Sequence, residues 1–281
     1  VVTLAERLRD LGYVTLMSGK WHLGTQPEND PSRRGFAQSF ALLQGASNHF
    51  GNDVAAQPAP GKATYRENGA ALTSLPKGFY SSDYFATKLI DQLVHTDKAK
   101  PFFAYLTFTA PHWPLQAPAA DIDRYRGRYD GGFEKLRAER LARQKSLGLV
   151  PANASPHPLV LAEGRNWASL SDAEKREQSR LMEIYAGMVD RMDQSVGRVI
   201  AHLKATGRYE NTIILFTSDN GAEGVDLLRS RVPGMAQRLQ DADNRLENLG
   251  AATSYGAYGP GWAQAATTPL FLYKGFTTEG G

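Results

Sequence analysis

The 281-residue chain contains no cysteine, which excludes disulfides and thiolate-held metals. Long hydrophobic runs are missing too. No apolar stretch approaches the ~20 residues needed to cross a bilayer, and no leader-like segment with a charged start and an apolar middle is visible. Excess charge of either sign is small: 32 Lys and Arg face 29 Asp and Glu, a formal net charge of +3. The basic excess gathers in residues 124–145, where it reads as the solvated face of a helix. The interleaving of basic and aromatic residues expected of a nucleic-acid surface is absent. Internal repeats and low-complexity tracts are absent as well. The chain opens on Val1 and closes on Glu279-Gly280-Gly281, and it reads as an internal fragment of a longer protein. It is therefore silent on targeting; bacterial cytoplasm or periplasm is the expected compartment, and oligomeric state is left open.

What the chain does have is ample apolar content, 42%, for the core of a large α/β domain. Residues 3–11 predict a helix, because Thr3 and Glu6 have capping-box spacing and Gly12 can close its end. A strand at 13–17 follows. Residues 24–78 are rich in Gly, Pro, Asn and Gln and read as long loops with a short hairpin. A helix is expected over 83–97 and a strand over 102–108, ended by Pro111 and Pro114. Residues 121–166 form a charged, then Pro-rich, peripheral insertion. The clearest helix is 171–204, where Leu181, Tyr185, Met188, Met192, Val196, Val199 and Leu203 recur at steps of three and four. Buried strands are expected at 212–217 and 270–273, with a second loop-rich region at 227–268. Strands alternating with helices predict a mainly parallel sheet covered by helices on both faces.

Four expected strands end in polar residues. The first leads to Lys20 and His22, the next to His112, the third to Asp219 and Asn220, and the last to Lys274. Parallel strands would bring these tips to one edge, where open α/β sheets bind ligands. Asp219 and Asn220 supply a carboxylate and an amide oxygen, donors suited to a hard cation such as Ca²⁺ or Mg²⁺, although Ca²⁺ takes about six to eight oxygens. The same pair could instead belong to an Asn-Gly turn, with Asp219 capping a backbone group. A histidine such as His112 is a residue type suited to giving a proton to a leaving oxygen, since a free imidazole titrates near ~6.5. Lys20 and Lys274 could offset the charge of a bound anion. His49, Trp113 and Trp262 are candidates for lining a substrate pocket, the two tryptophans by stacking on a ring.

Several segments carry a family likeness. Gly12-Tyr13-Val14-Thr15-Leu16-Met17-Ser18-Gly19-Lys20-Trp21-His22-Leu23-Gly24 closely resembles a signature of the type I, formylglycine-dependent sulfatases. Thr109-Ala110-Pro111-His112-Trp113-Pro114-Leu115 is similar to their histidine segment, and Phe216-Thr217-Ser218-Asp219-Asn220-Gly221 to their metal segment. Tyr185 to Asp193 with Gly197 resembles their long core helix, and Ser254 to Trp262 with Lys274 their final active-site segment. The look is that of bacterial arylsulfatases. The resemblance implies a single catalytic domain over 1–281, incomplete at both ends, with an alkaline-phosphatase-like α/β sandwich fold. It implies hydrolysis of a small-molecule sulfate ester by a Ca²⁺-bound formylglycine. In that scheme Asp219 and Asn220 hold the ion, Lys20 contacts nucleophile and sulfate, and His22 steadies the nucleophile. His112 and Lys274 hold the ester. The Cys/Ser-x-Pro-x-Arg nucleophile motif and two further metal-binding aspartates of the family are not in this sequence, so the fragment alone is expected to be inactive. Ser74-Leu75-Pro76-Lys77-Gly78 has Gly where that motif requires Arg and is rejected. The competing readings are a phosphodiester or phosphonate monoester hydrolase of the same superfamily and a non-catalytic binding relative.

Overall fold

The computed structural model describes residues 1–227 and 234–281; the part of the expected 227–268 loop region at 228–233 lies outside the described residues. The elements run in the order α1 (Leu4–Asp10), β1 (Val14–Lys20), β2 (Gln38–Leu42), β3 (Tyr65–Glu67), β4 (Ala70–Ala71), α2 (Ser81–Val94) and β5 (Phe102–Thr107). Then come α3 (Ala119–Asp123), α4 (Gly132–Ser146), α5 (Asp172–Ala205), α6 (Met235–Asp241) and α7 (Gly259–Ala266). The chain divides into two compact units, one of residues 1–114 with 189–213 and one of residues 115–188 with 214–281. The long helix α5 gives its second half to the first unit and its first half to the second.

The first unit holds the sheet, ordered β4-β3-β2-β1-β5. The three strands β2, β1 and β5 are parallel, and β3 and β4 add an antiparallel edge. Alternation on the strands sorts side chains to the two faces. Leu16 packs with Leu89 and Leu93 of α2 and Leu203 of α5. Its neighbour Met17 packs on the opposite face with Ala5 of α1, Phe36 and Ala41. Helices therefore cover both faces, as the pattern predicts. Side chains also tie helix to strand: the Ser18 hydroxyl donates to the Phe85 carbonyl at 2.8 Å, and the Gln92 amide donates to the Met17 carbonyl at 3.1 Å. The Arg191 guanidinium grips Asp83, in the first turn of α2, through Nε at 2.8 Å and Nη2 at 2.5 Å.

Local predictions hold where short-range chemistry decides. The capping box of α1 is formed, with the Glu6 N–H donating to the Thr3 hydroxyl at 3.0 Å and the Thr3 N–H to the Glu6 carboxylate at 2.6 Å. Ser171 and Glu174 make the same reciprocal arrangement ahead of α5. Between β3 and β4, Asn68 and Gly69 both have positive φ, the conformation that a two-residue hairpin turn demands.

Three expectations change. Strand β2 lies inside the region read as loop; its short Phe40-Ala41-Leu42 run is fully buried between β1 and β3. Residues 212–217 do not form a buried strand. They have no ladder partner among the described residues, and Ile213, Ile214, Leu215 and Phe216 are 97%, 47%, 87% and 74% exposed. Residues 270–273 are not a strand but irregular, bending chain, held by a Thr267 hydroxyl that donates to the Leu272 carbonyl at 2.8 Å.

Candidate active site

In the first unit, the carboxyl ends of the three parallel strands lie side by side. Gly19 pairs with Thr107 and Lys20 with Leu42, so the loops that follow β1, β2 and β5 leave one edge of the sheet. The approach of β5 is close. The Thr107 hydroxyl donates to the Lys20 carbonyl at 2.6 Å, and a Cβ on Gly19 would collide with the Thr107 carbonyl, at a φ of +126°. Only glycine fits there. Beyond it, Lys20 is half-buried and His22 is exposed. His22 has a φ of 55°, a left-handed conformation uncommon among non-glycine residues. Its backbone N–H donates to the Leu43 carbonyl at 3.2 Å, and Gly45 leaves room for its ring.

His112 occupies the loop after β5, with cis peptide bonds before Pro111 and Pro114. Its Nδ1 lies 2.8 Å from the Trp113 carbonyl. A carbonyl can only accept, so Nδ1 carries hydrogen and Nε2 is the nitrogen that gains and loses the proton. The Trp113 ring lies against the imidazole, centroids 4.7 Å apart. Lys20 and His22 at the end of β1, and His112 in the loop after β5, thus follow the same edge of the sheet in the first unit.

The second unit carries the other expected groups on loops rather than strand tips. The Gly221 N–H donates to the Gly281 carbonyl, and the Lys274 N–H to the Ala222 carbonyl, each at 3.0 Å. These bonds bring the Asp219-Asn220 segment against the Lys274 segment. Gly221 permits this, since a Cβ there would run into the Gly280 carbonyl. The Lys274 ammonium sits 3.0 Å from the Glu223 carboxylate. Glu223 was not singled out by sequence reading; its place three residues beyond Asn220, in a Gly-flanked turn, was the available signal. Burial first, and then the Glu223 and Asp226 charges, push the Tyr273 hydroxyl up.

Asp219 is exposed, Asn220 is half-buried, and the Asn220 amide donates to the Gly221 carbonyl at 2.9 Å. Their oxygens are of the hard type that Ca²⁺ accepts, but two donors fall well short of a shell of about six. Among the described residues no group of three or more His, Cys, Asp or Glu is placed to hold an ion.

Two pocket-lining expectations are revised. Trp262 is fully buried, edge-on to Tyr129, Phe133 and Trp167, and offers no face to a substrate ring. His49 is also fully buried. Burial pushes its pKa down to about 4, and its ring contacts are internal to the fold.

A family model described as Sulfatase matches residues 1–279. The chain belongs to the sulfatase family. Among curated relatives, an uncharacterized sulfatase of Schizosaccharomyces pombe is 49% identical over all of this chain and 52% of its own length. An arylsulfatase of Klebsiella aerogenes is 36% identical, again over the whole chain and 60% of its own length. The chain thus spans a little over half the length of these relatives. A crystal structure of Ps i-CgsB in complex with k-i-k-neocarrahexaose matches 99% of this chain and 44% of its own, with a TM-score of 0.54 at 24% identity. That likeness supports the fold, which is α/β of the alkaline-phosphatase-like type.

Proposed function

We propose that this sulfatase-family chain carries sulfate-binding and proton-donating machinery of an arylsulfatase-type hydrolase, one that converts a sulfate ester and water to an alcohol and hydrogen sulfate. The observation that supports this most is the set of parallel strand ends that aligns Lys20 and His22 with the His112 loop, in a chain 36% identical to an arylsulfatase. Lys20 offsets the charge of the sulfate group and of its transition state. His22, held left-handed at the turn, steadies the attacking group. His112 keeps Nδ1–H on the Trp113 carbonyl and gives the Nε2 proton to the departing alcohol oxygen as its bond to sulfur breaks. Lys274, paired with Glu223, is the second unit's candidate cation for a sulfate group. Formylglycine would supply the attacking oxygen. Asp219 and Asn220 would supply two oxygens to Ca²⁺, and no other residue role depends on that ion. His49 and Trp262, buried, are not assigned to the substrate; Trp113 is.

The test is turnover of 4-nitrophenyl sulfate by the natural polypeptide that carries this chain, with Ca²⁺ present. We expect Lys20→Ala and His112→Ala each to lose about 10²–10⁴-fold in kcat, the usual worth of a charge-stabilising donor or a general acid. Faster turnover of the matched phosphodiester would move the assignment to a phosphodiester or phosphonate monoester hydrolase. No turnover of either would make the chain a binding relative.

A further inference from the structure

His49 lies outside the mechanism above, yet it is the only histidine with no exposed surface among the described residues. Its ring is held at both nitrogens: Nδ1 is 2.7 Å from the Ser81 hydroxyl and Nε2 is 3.2 Å from the backbone carbonyl of His112. The second contact fixes the tautomer. A carbonyl cannot donate, so Nε2 must carry the hydrogen, and Nδ1 must then accept from the Ser81 hydroxyl. The reverse tautomer would set two lone pairs against each other inside the fold.

The two anchors of this bridge are themselves fixed. Ser81 opens α2, its N–H donates to the His49 carbonyl at 2.9 Å, and two residues on, Asp83 is gripped by Arg191 of α5. The other end reaches the peptide unit of His112 itself, and the next carbonyl along, that of Trp113, takes the His112 Nδ1–H. The chain of contacts therefore runs from α2 through the His49 ring to the backbone that sets where the His112 ring points.

We propose that His49 is a positioning residue for His112: as the neutral Nε2–H tautomer it pins the His112 carbonyl to α2 and so aims the His112 Nε2 at the leaving-group oxygen. The catalytic half of this rests on the sulfate-ester reading above. The structural half does not.

The two halves are tested separately. Nitrogen-15 spectra of the histidine rings, recorded across pH on the wild type, should show His49 as Nε2–H and His112 as Nδ1–H when neutral. His49→Leu should release His112 into a mixture of tautomers. His49→Gln, whose amide N–H can still reach the carbonyl, should retain most of the His112 order. Ser81→Ala should loosen it part-way. A His112 spectrum unchanged in His49→Leu, or His49 protonated on Nδ1, overturns the proposal whether or not the protein is a hydrolase. Where turnover is measurable, the second readout is a series of aryl sulfates with leaving phenols of rising pKa. A mis-aimed general acid matters most for the poorest leaving group. His49→Leu should then lose roughly 100-fold on phenyl sulfate but under 10-fold on 4-nitrophenyl sulfate, with His49→Gln between it and wild type. An equal loss on every ester would mark His49 as merely structural and would also overturn the proposal. A wild type inactive on all esters would instead defeat the functional reading, leaving the spectra to decide the positioning role.

Discussion

Strand β5 and the segment at 212–217 are alike in length and apolar character. Phe102-Phe103-Ala104-Tyr105-Leu106-Thr107 and Thr212-Ile213-Ile214-Leu215-Phe216-Thr217 are both six-residue apolar runs that precede a polar cluster. One is a strand and the other is not. Strand β5 lies against β1 over six paired residues and presents alternate side chains to two cores, Phe102, Ala104 and Leu106 to one and Phe103 to the other. The second run meets no ladder among the described residues and leaves its apolar side chains in solvent. Its β-branched residues are, if anything, better strand formers. The difference teaches that β-propensity measures fit to a pleated, half-buried surface, and that without a neighbour to complete that surface the propensity has nothing to act on.

The comparison can be broken most severely at Gly19, where β1 and β5 touch. Gly19→Ala should cost about 4 kcal/mol or more, since the Cβ meets backbone and the φ is positive; denaturant melts should show either a large loss or no folded protein. Phe40→Ala, in the fully buried centre of the sheet, should cost about 3–5 kcal/mol through its cavity, read the same way. Acid should act next. His49 is neutral in the fold with a pKa near 4, whereas unfolded it titrates near ~6.5. The unfolded chain therefore binds the extra proton first, and stability should fall as pH drops from about 6.5 to 4, by on the order of 3 kcal/mol. His49→Gln should flatten that part of the stability profile. At the small end, Leu215→Thr should change stability by less than about 0.5 kcal/mol while lowering aggregation, seen by light scattering. A loss like that of Phe40→Ala would mean the run is buried in solution.

Legibility from sequence followed the range of the interactions. The cap of α1, the α5 stripe and the Lys20–His22 turn are fixed within a few residues of chain, and each was readable. So was the fold class, from alternation of strands and helices. Strand β2 was hidden because its five residues follow a Gly- and Pro-rich stretch and reveal themselves only when β1 and β3 flank them. The strands expected at 212–217 and 270–273 erred in the opposite direction, since composition was taken for pairing. At the site, Lys20, His22 and His112 could be placed because each follows a readable strand. His49 and Trp262 could not, because burial is a property of what packs around a ring. Glu223 escaped because nothing in its own neighbourhood announces Lys274, fifty-one residues later.

The paired glycines of the second unit carry a consequence for how this protein can vary. Gly221 lies against the Gly280 carbonyl, and a Cβ on Gly280 would strike the carbonyls of Phe271 and Leu272. Two distant stretches of chain thus meet backbone to backbone, with no side chain between them to trim or enlarge. Such a joint cannot be loosened by degrees, as a packed core can by losing one methyl at a time. Substitutions there should behave as all-or-none, and the joint fixes the loops that carry Asp219 and the Lys274–Glu223 pair.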